Sequence, residues 1–195
     1  MNNIEKLKQL LKENHGMVLT SDLKKHNIAR QYLRILMGKG IIERAARGVY
    51  VSTDTLEDEF YCLQKRYARG VFSHNTALYF YDLTDRTPIS IDLTFPCNYR
   101  MNRNTSVSPY YVKEDLFALG ITEMKSPMGH KVRVYDMERT ICDVIKSRNK
   151  MDFQIVIDAV KRYAKRRGKN LPLLSMYAKK LRVDKILRPY MEVLV

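Results

Sequence analysis

The chain has 195 residues, 45% of them apolar, with 13 Tyr and 6 Phe. That is enough apolar matter for a core and excludes wholesale disorder. No apolar run reaches the length of a membrane span, and the charged N-terminus lacks the apolar stretch of a signal peptide, so a cytoplasmic protein is expected. The net charge of +14 is unevenly spread: +6 over residues 1–53, −2 over 54–145 and +11 over 146–188. Two basic blocks flanking a near-neutral middle favour a polyanionic partner.

Residues 4–13 read as a helix, because Ile4, Leu7, Leu10 and Leu11 share one face. Gly16 sits where a helix would stop. Thr20 or Ser21 can cap a short second helix over Asp22–His26. Asn27 then offers a left-handed backbone turn. A third helix over Ala29–Lys39 turns Leu33, Leu36 and Met37 inward, and Gly40 closes it. Two short apolar runs follow, Ile41-Ile42 and Val49–Val51, joined by a loop with Gly48. They read as a hairpin. The order helix, helix, turn, helix, hairpin predicts a winged helix-turn-helix over 1–53. The acidic stretch Asp54–Glu59 marks the junction to a second domain, 54–195.

The second part alternates helices and strands. Glu57–Arg69 is predicted helical, Gly70–Phe72 a short strand, and Ser73 a cap for a helix over Asn75–Leu83. Ile89–Phe95, Val107–Val112 and Lys131–Tyr135 read as strands. Helices are predicted over Asp136–Ser147, Asp152–Arg167, Pro172–Leu181 and Ile186–Leu194. The fold class is therefore α+β: a winged helix-turn-helix, then a mixed α/β domain ending in helices.

In a helix-turn-helix the second helix of the pair enters the major groove. Here it would present Arg30, Gln31 and Arg34, with Tyr32 nearby. Arg suits guanine and Gln suits adenine. Arg44 and Arg47 bracket the hairpin turn, where a wing would meet phosphate or the minor groove. Winged domains also serve as protein-interaction modules, but four Arg and one Gln in these places favour double-stranded DNA. In the C-terminal block, Lys161, Arg162, Lys165, Arg166 and Lys169 form a basic face beside an apolar stripe. Complementing a helix dipole accounts for two or three of them, and the rest suit a nucleic-acid backbone.

No catalytic residue, cofactor or metal site is expected. Cys62, Cys97 and Cys142 form no CxxC or Cys/His cluster, which argues against a disulfide framework or zinc site. His15 and His26 lie at helix ends, and His74 and His130 are isolated in sequence. Ser73-His74-Asn75 reads as a helix cap, and no phosphate-binding glycine loop or nucleophile elbow occurs.

The winged segment Asp22-Leu23, Asn27-Ile28, Leu33, Leu36, Gly40, Arg44 and Arg47-Gly48-Val49-Tyr50 resembles the N-terminal domain of AbiEi-type antitoxins of abortive-infection systems. The segment Val134–Asp143, with Glu138-Arg139-Thr140 at its centre, is similar to a hallmark of their C-terminal domain. The resemblance implies a type IV antitoxin that binds inverted repeats in its own promoter and represses it. It also implies a nucleotidyltransferase-like toxin as counterpart, without a stable complex. The reading is a free monomer that places two copies on DNA. Two rivals are a nucleic-acid-processing enzyme with a winged substrate-binding domain and a regulator with a ligand-sensing C-terminal domain. Glu138, Arg139 and Asp143 are expected to form a structural ion-pair set.

Overall fold

A computed structural model describes residues 2–54, 58–101 and 107–194. The fold is α+β, and the chain divides into two compact units. The first runs up to Ala68 and includes residues 125–130; the second holds Arg69–Met124 and Lys131–Val195. The first unit is thus larger than the 1–53 read from the sequence. Part of the acidic junction, residues 55–57, lies outside the described residues, as does the start of the helix expected from Glu57.

In the first unit, α1 (Asn3–Glu13) starts on a reciprocal cap: the Asn2 side chain accepts from the Ile4 N–H, and Glu5 accepts from the Asn2 N–H. Leu7, Leu10 and Leu11 are buried, as their spacing predicts. A short strand β1 (Met17–Leu19) precedes α2 (Thr20–Lys25). Asn27 follows with φ 53°, the expected left-handed turn, and the Ile28 N–H reaches back to the Leu23 carbonyl at 2.8 Å. Next come α3 (Gln31–Gly38) and the hairpin of β2 (Ile42–Ala46) and β3 (Val49–Ser52). The sheet order is β1-β3-β2, all antiparallel. Leu7, Leu11, Leu23, Leu33, Leu36 and Ile42 close one core between helices and sheet. Helix α4 (Glu59–Arg66) completes the unit, with Asp58 accepting from the Tyr61 N–H at 3.1 Å.

The hairpin differs from expectation. The residues taken for its loop are mostly strand, and only Arg47-Gly48 turn. Gly48 has φ 80°, and a Cβ there would lie 2.9 Å from the Thr20 hydroxyl. The turn thus packs against the start of α2, where the Thr20 N–H donates to the Gly48 carbonyl at 2.9 Å. Only glycine meets both demands.

The second unit is built on a five-stranded sheet, order β6-β5-β4-β8-β7. Its strands are β4 (Val71–Phe72), β5 (Ile91–Pro96), β6 (Val107–Val112), β7 (Ile121–Lys125) and β8 (Lys131–Tyr135). β4 pairs antiparallel with β5 and parallel with β8, and β5 runs parallel to β6. β5 is buried along its whole length, as a strand covered on both faces must be. Helices α5 (His74–Phe80), α7 (Met137–Lys146), α8 (Phe153–Lys165), α9 (Leu171–Leu181) and α10 (Asp184–Leu194) share one apolar core. A short α6 (Glu114–Phe117) links β6 to β7. Pro189 lies inside α10.

Candidate nucleic-acid interface

Helix α3 buries Leu33 and Leu36, so its other face is left to solvent. Gln31 and Arg34 are exposed there, one turn apart, and Arg30 stands exposed at the N-cap, just before the first turn. Arg34 and Arg30 belong to no ion pair among the described residues. Tyr32 points the other way: it is half-buried against the core, and its hydroxyl accepts from the Asn3 side chain at 3.4 Å. Of the four residues read on this helix, three therefore share the solvent face.

The wing needs a correction. Arg44 does not bracket the turn; it stands within β2, on a one-residue bulge between Glu43 and Ala46. Its side chain lies along its own strand, with Nε 3.4 Å from the Ala46 carbonyl. The bulge arises because β2 carries one more residue than the facing stretch of β3. Arg47 alone occupies the turn, exposed.

The basic residues of the C-terminal unit are only partly available. Arg162 makes a two-pronged pair with the Asp85 carboxylate. Arg166 donates to the Tyr81 carbonyl and lies 3.9 Å from Asp82. Lys169 donates to the Ala164 carbonyl at the end of α8. Lys161 and Lys165 are exposed and sit one helical turn apart. The even basic face read from the sequence is thus two lysines beside two arginines that already hold local acceptors.

The Val134–Asp143 segment is a structural hub. Asp136 caps α7, accepting from the Arg139 N–H at 2.8 Å and from the Tyr177 hydroxyl at 2.9 Å. Arg139 is fully buried: Nε donates to Asp143 at 2.9 Å, and Nη1 donates to the Leu116 and Leu119 carbonyls. Its guanidinium also lies over the Tyr135 ring, 4.3 Å from the centroid. Glu138 accepts from the Tyr163 hydroxyl at 3.1 Å and the Asn170 N–H at 2.8 Å. Its bonds lead to α8 and α9, so it does not share the Arg139–Asp143 pair; the expected ion-pair set of three is a set of two.

Two polar clusters carry no sequence signature. Asp58, 3% exposed, accepts from the Ser126 hydroxyl at 2.5 Å and pairs with His130 Nδ1 at 2.7 Å, and the His130 ring stacks on Tyr61. The Ser and His both address the Asp, so this is not a nucleophile–base relay. His74 is buried between Ser73 and Ser147, each hydroxyl 3.0 Å from a ring nitrogen. Beside it, buried Asp92 accepts from the Asn75 N–H at 2.9 Å, and burial raises its carboxyl to about 6. Both histidines stand apart from other such groups in sequence and meet these partners only through the fold.

Cys62, Cys97 and Cys142 are free thiols. Among the described residues no group of three or more His, Cys, Asp or Glu side chains could hold a metal ion. No helix of the described residues is long and apolar enough to cross a membrane.

Within the N-terminal unit, α1, α2 and α3 with the three-stranded sheet and its tight turn form a winged helix-turn-helix module. Its sequence agrees: residues 5–53 match the family described as "Transcriptional regulator, AbiEi antitoxin". The antitoxin-regulator resemblance therefore holds over the winged segment. The solved structure of the RV2827C protein from Mycobacterium tuberculosis shares the fold, with a TM-score of 0.59 over 95% of this chain and 78% of that one, at 12% identity. Comparison with curated proteins gives no match.

Proposed function

We propose that the protein is a DNA-binding autorepressor and antitoxin that acts in the cytoplasm without catalysis of its own. Residues 1–53 read the DNA, and residues 54–195 form the antitoxin domain. The observation that carries this reading is the exposed Arg30–Gln31–Arg34 face at α3, whose two arginines join no ion pair among the described residues, inside the segment that matches the regulator family. Arg30, Gln31 and Arg34 read base edges, Arg47 meets the backbone at the wing, and Arg44 supports it from the bulge. Lys161 and Lys165 add phosphate contacts, and Arg162, Arg166 and Lys169 join them only by exchanging their present acceptors.

One such module spans few base pairs, so two copies of a monomeric chain bind an inverted repeat in the protein's own promoter. The counterpart is a nucleotidyltransferase-like toxin, opposed without a stable complex. The test is anisotropy titration of the full chain with promoter DNA and with scrambled duplex. Arg30→Ala and Arg34→Ala are each expected to cost about 1–3 kcal/mol on the promoter site and far less on the scrambled duplex. Equal losses on both would remove the base-reading role.

A further inference from the structure

The outward face of α3 is not wholly polar. Ile35 is 37% exposed on it, one turn after Gln31 and next to Arg34. Leu33 and Leu36 take the inward face, with Tyr32 and Met37 packed beside them, and Ile35 has no place in that core. Among the described residues of the first unit, Ile35 and Met128 are the exposed large apolar side chains. A single exposed isoleucine is common on protein surfaces. This one stands among the side chains assigned to base reading.

Successive residues turn by about 100° around a helix axis, which sets the order across the face. Arg30, itself in helical conformation, and Arg34 lie on one flank, Gln31 lies in the centre, and Ile35 lies on the other flank. Gln31 and Ile35, four residues apart, are neighbours on the helix surface. Gly38 continues the stripe one turn beyond Ile35. Its backbone is not left-handed, and a Cβ there would meet nothing within 4 Å, so nothing within the described residues demands a glycine. The missing side chain keeps that end of the stripe low and lets another molecule come close to Ile35.

In the major groove, adenine offers the acceptor and donor pair that suits a glutamine amide, and thymine alone presents a methyl group. The guanidinium groups of Arg30 and Arg34 suit guanine and have nothing to gain from a methyl group. A branched apolar side chain does, because both surfaces leave water on contact.

We propose that Ile35 is a specificity-determining residue that packs on the 5-methyl group of a thymine in each half-site, beside the base that Gln31 reads. The inference rests on the operator reading above and deepens it, adding one apolar contact to three polar ones.

The test titrates the full chain with the promoter duplex, with a scrambled duplex, and with promoter duplexes in which the thymines of one half-site are replaced one at a time by deoxyuridine. That replacement removes only the 5-methyl group. At one position it should weaken binding about fourfold, the effect of one buried methyl group. Ile35→Ala, a surface change, should weaken binding to the unmodified promoter duplex by about fourfold per half-site and should no longer respond to deoxyuridine at that position. Specific promoter binding without a methyl-sensitive thymine, or a methyl dependence that survives in Ile35→Ala, overturns the role of Ile35 and leaves the operator reading standing. A parent chain that does not prefer the promoter to the scrambled duplex is a different failure: it removes the operator reading, and this inference with it.

Discussion

Arg139 and Asp143 lie one turn apart on α7, both buried, with the guanidinium Nε 2.9 Å from the carboxylate. Burial pulls the Asp143 carboxyl upward and the arginine opposes that pull. A buried pair is weakly stabilising as a pair but costly to break, because the surviving charge has no water. Arg139→Met should therefore destabilise the protein by about 3–5 kcal/mol, and adding Asp143→Leu should recover much of it. Urea unfolding of the parent, both single variants and the double variant measures this. Additive losses would refute the coupling.

Gly120 makes a second demand on the same hub. It has φ 80°, and a Cβ there would lie 2.8 Å from the Arg139 Cβ and 3.0 Å from the Asp136 carboxylate. Gly129 has φ 89° but open space around it. Gly120→Ala should cost about 2–4 kcal/mol, and Gly129→Ala only about 1 kcal/mol for the backbone conformation. Thermal unfolding of the two variants should rank them in that order.

Asp92 and His74 give opposite pH dependences. The Asp92 carboxyl is raised to about 6, so between about pH 4 and 6 the folded state holds a proton that the unfolded state has lost. Its contribution to stability is present below about pH 4 and is lost as pH rises through 6. His74, lowered by burial to about 3, acts in reverse: its contribution is present above about pH 6.5 and is lost as pH falls towards 3. The two slopes oppose each other in the parent. Asp92→Asn should unmask the histidine, gaining about 1 kcal/mol per pH unit relative to the parent from pH 4 to 6. Denaturant titrations across that window would show it, and parallel profiles would contradict it.

Asp85 limits the basic face of the C-terminal unit by occupying Arg162. The arginine's hydrogen bond holds the exposed Asp85 carboxyl below its usual range. If the duplex reading holds, Asp85→Asn frees Arg162 for phosphate. The log–log salt slope of DNA binding should steepen by about 0.9, the value of one contact. Arg162→Ala should leave the parent slope unchanged. A flat response to Asp85→Asn would mean that this face does not meet DNA.

The helices were legible because their apolar spacing alone determines which face is buried. Leu7, Leu10 and Leu11, and later Val156, Val160 and Tyr163, lie inside as their periods require. Val107–Val112 and Lys131–Tyr135 also read true, since β-branched and aromatic residues are concentrated there. Met17–Leu19 was not read as a strand because three residues show no alternation, and Ile121–Lys125 because it is half polar. Arg44 was misplaced because strand and loop are alike in Glu43–Ala46, and only pairing with β3 sets the turn length. The polar clusters were invisible for a different reason. His74 meets Ser147 and Arg162 meets Asp85 across more than seventy residues, and only the topology brings them together.

The first unit is stitched from two stretches of chain, and this bears on any attempt to transplant it. A hybrid regulator that borrows only the continuous stretch ending at Ala68 leaves behind residues 125–130. Asp58 would then keep the Tyr61 N–H but lose the Ser126 hydroxyl and the His130 ring. A carboxylate built for burial would be stranded beside the start of α4, at a cost of about 1–3 kcal/mol. On the proposed operator-reading role of α3, a change of specificity therefore calls for grafting its outward side chains rather than exchanging whole modules, or for replacing Asp58 by a residue that caps α4 without needing a distant partner.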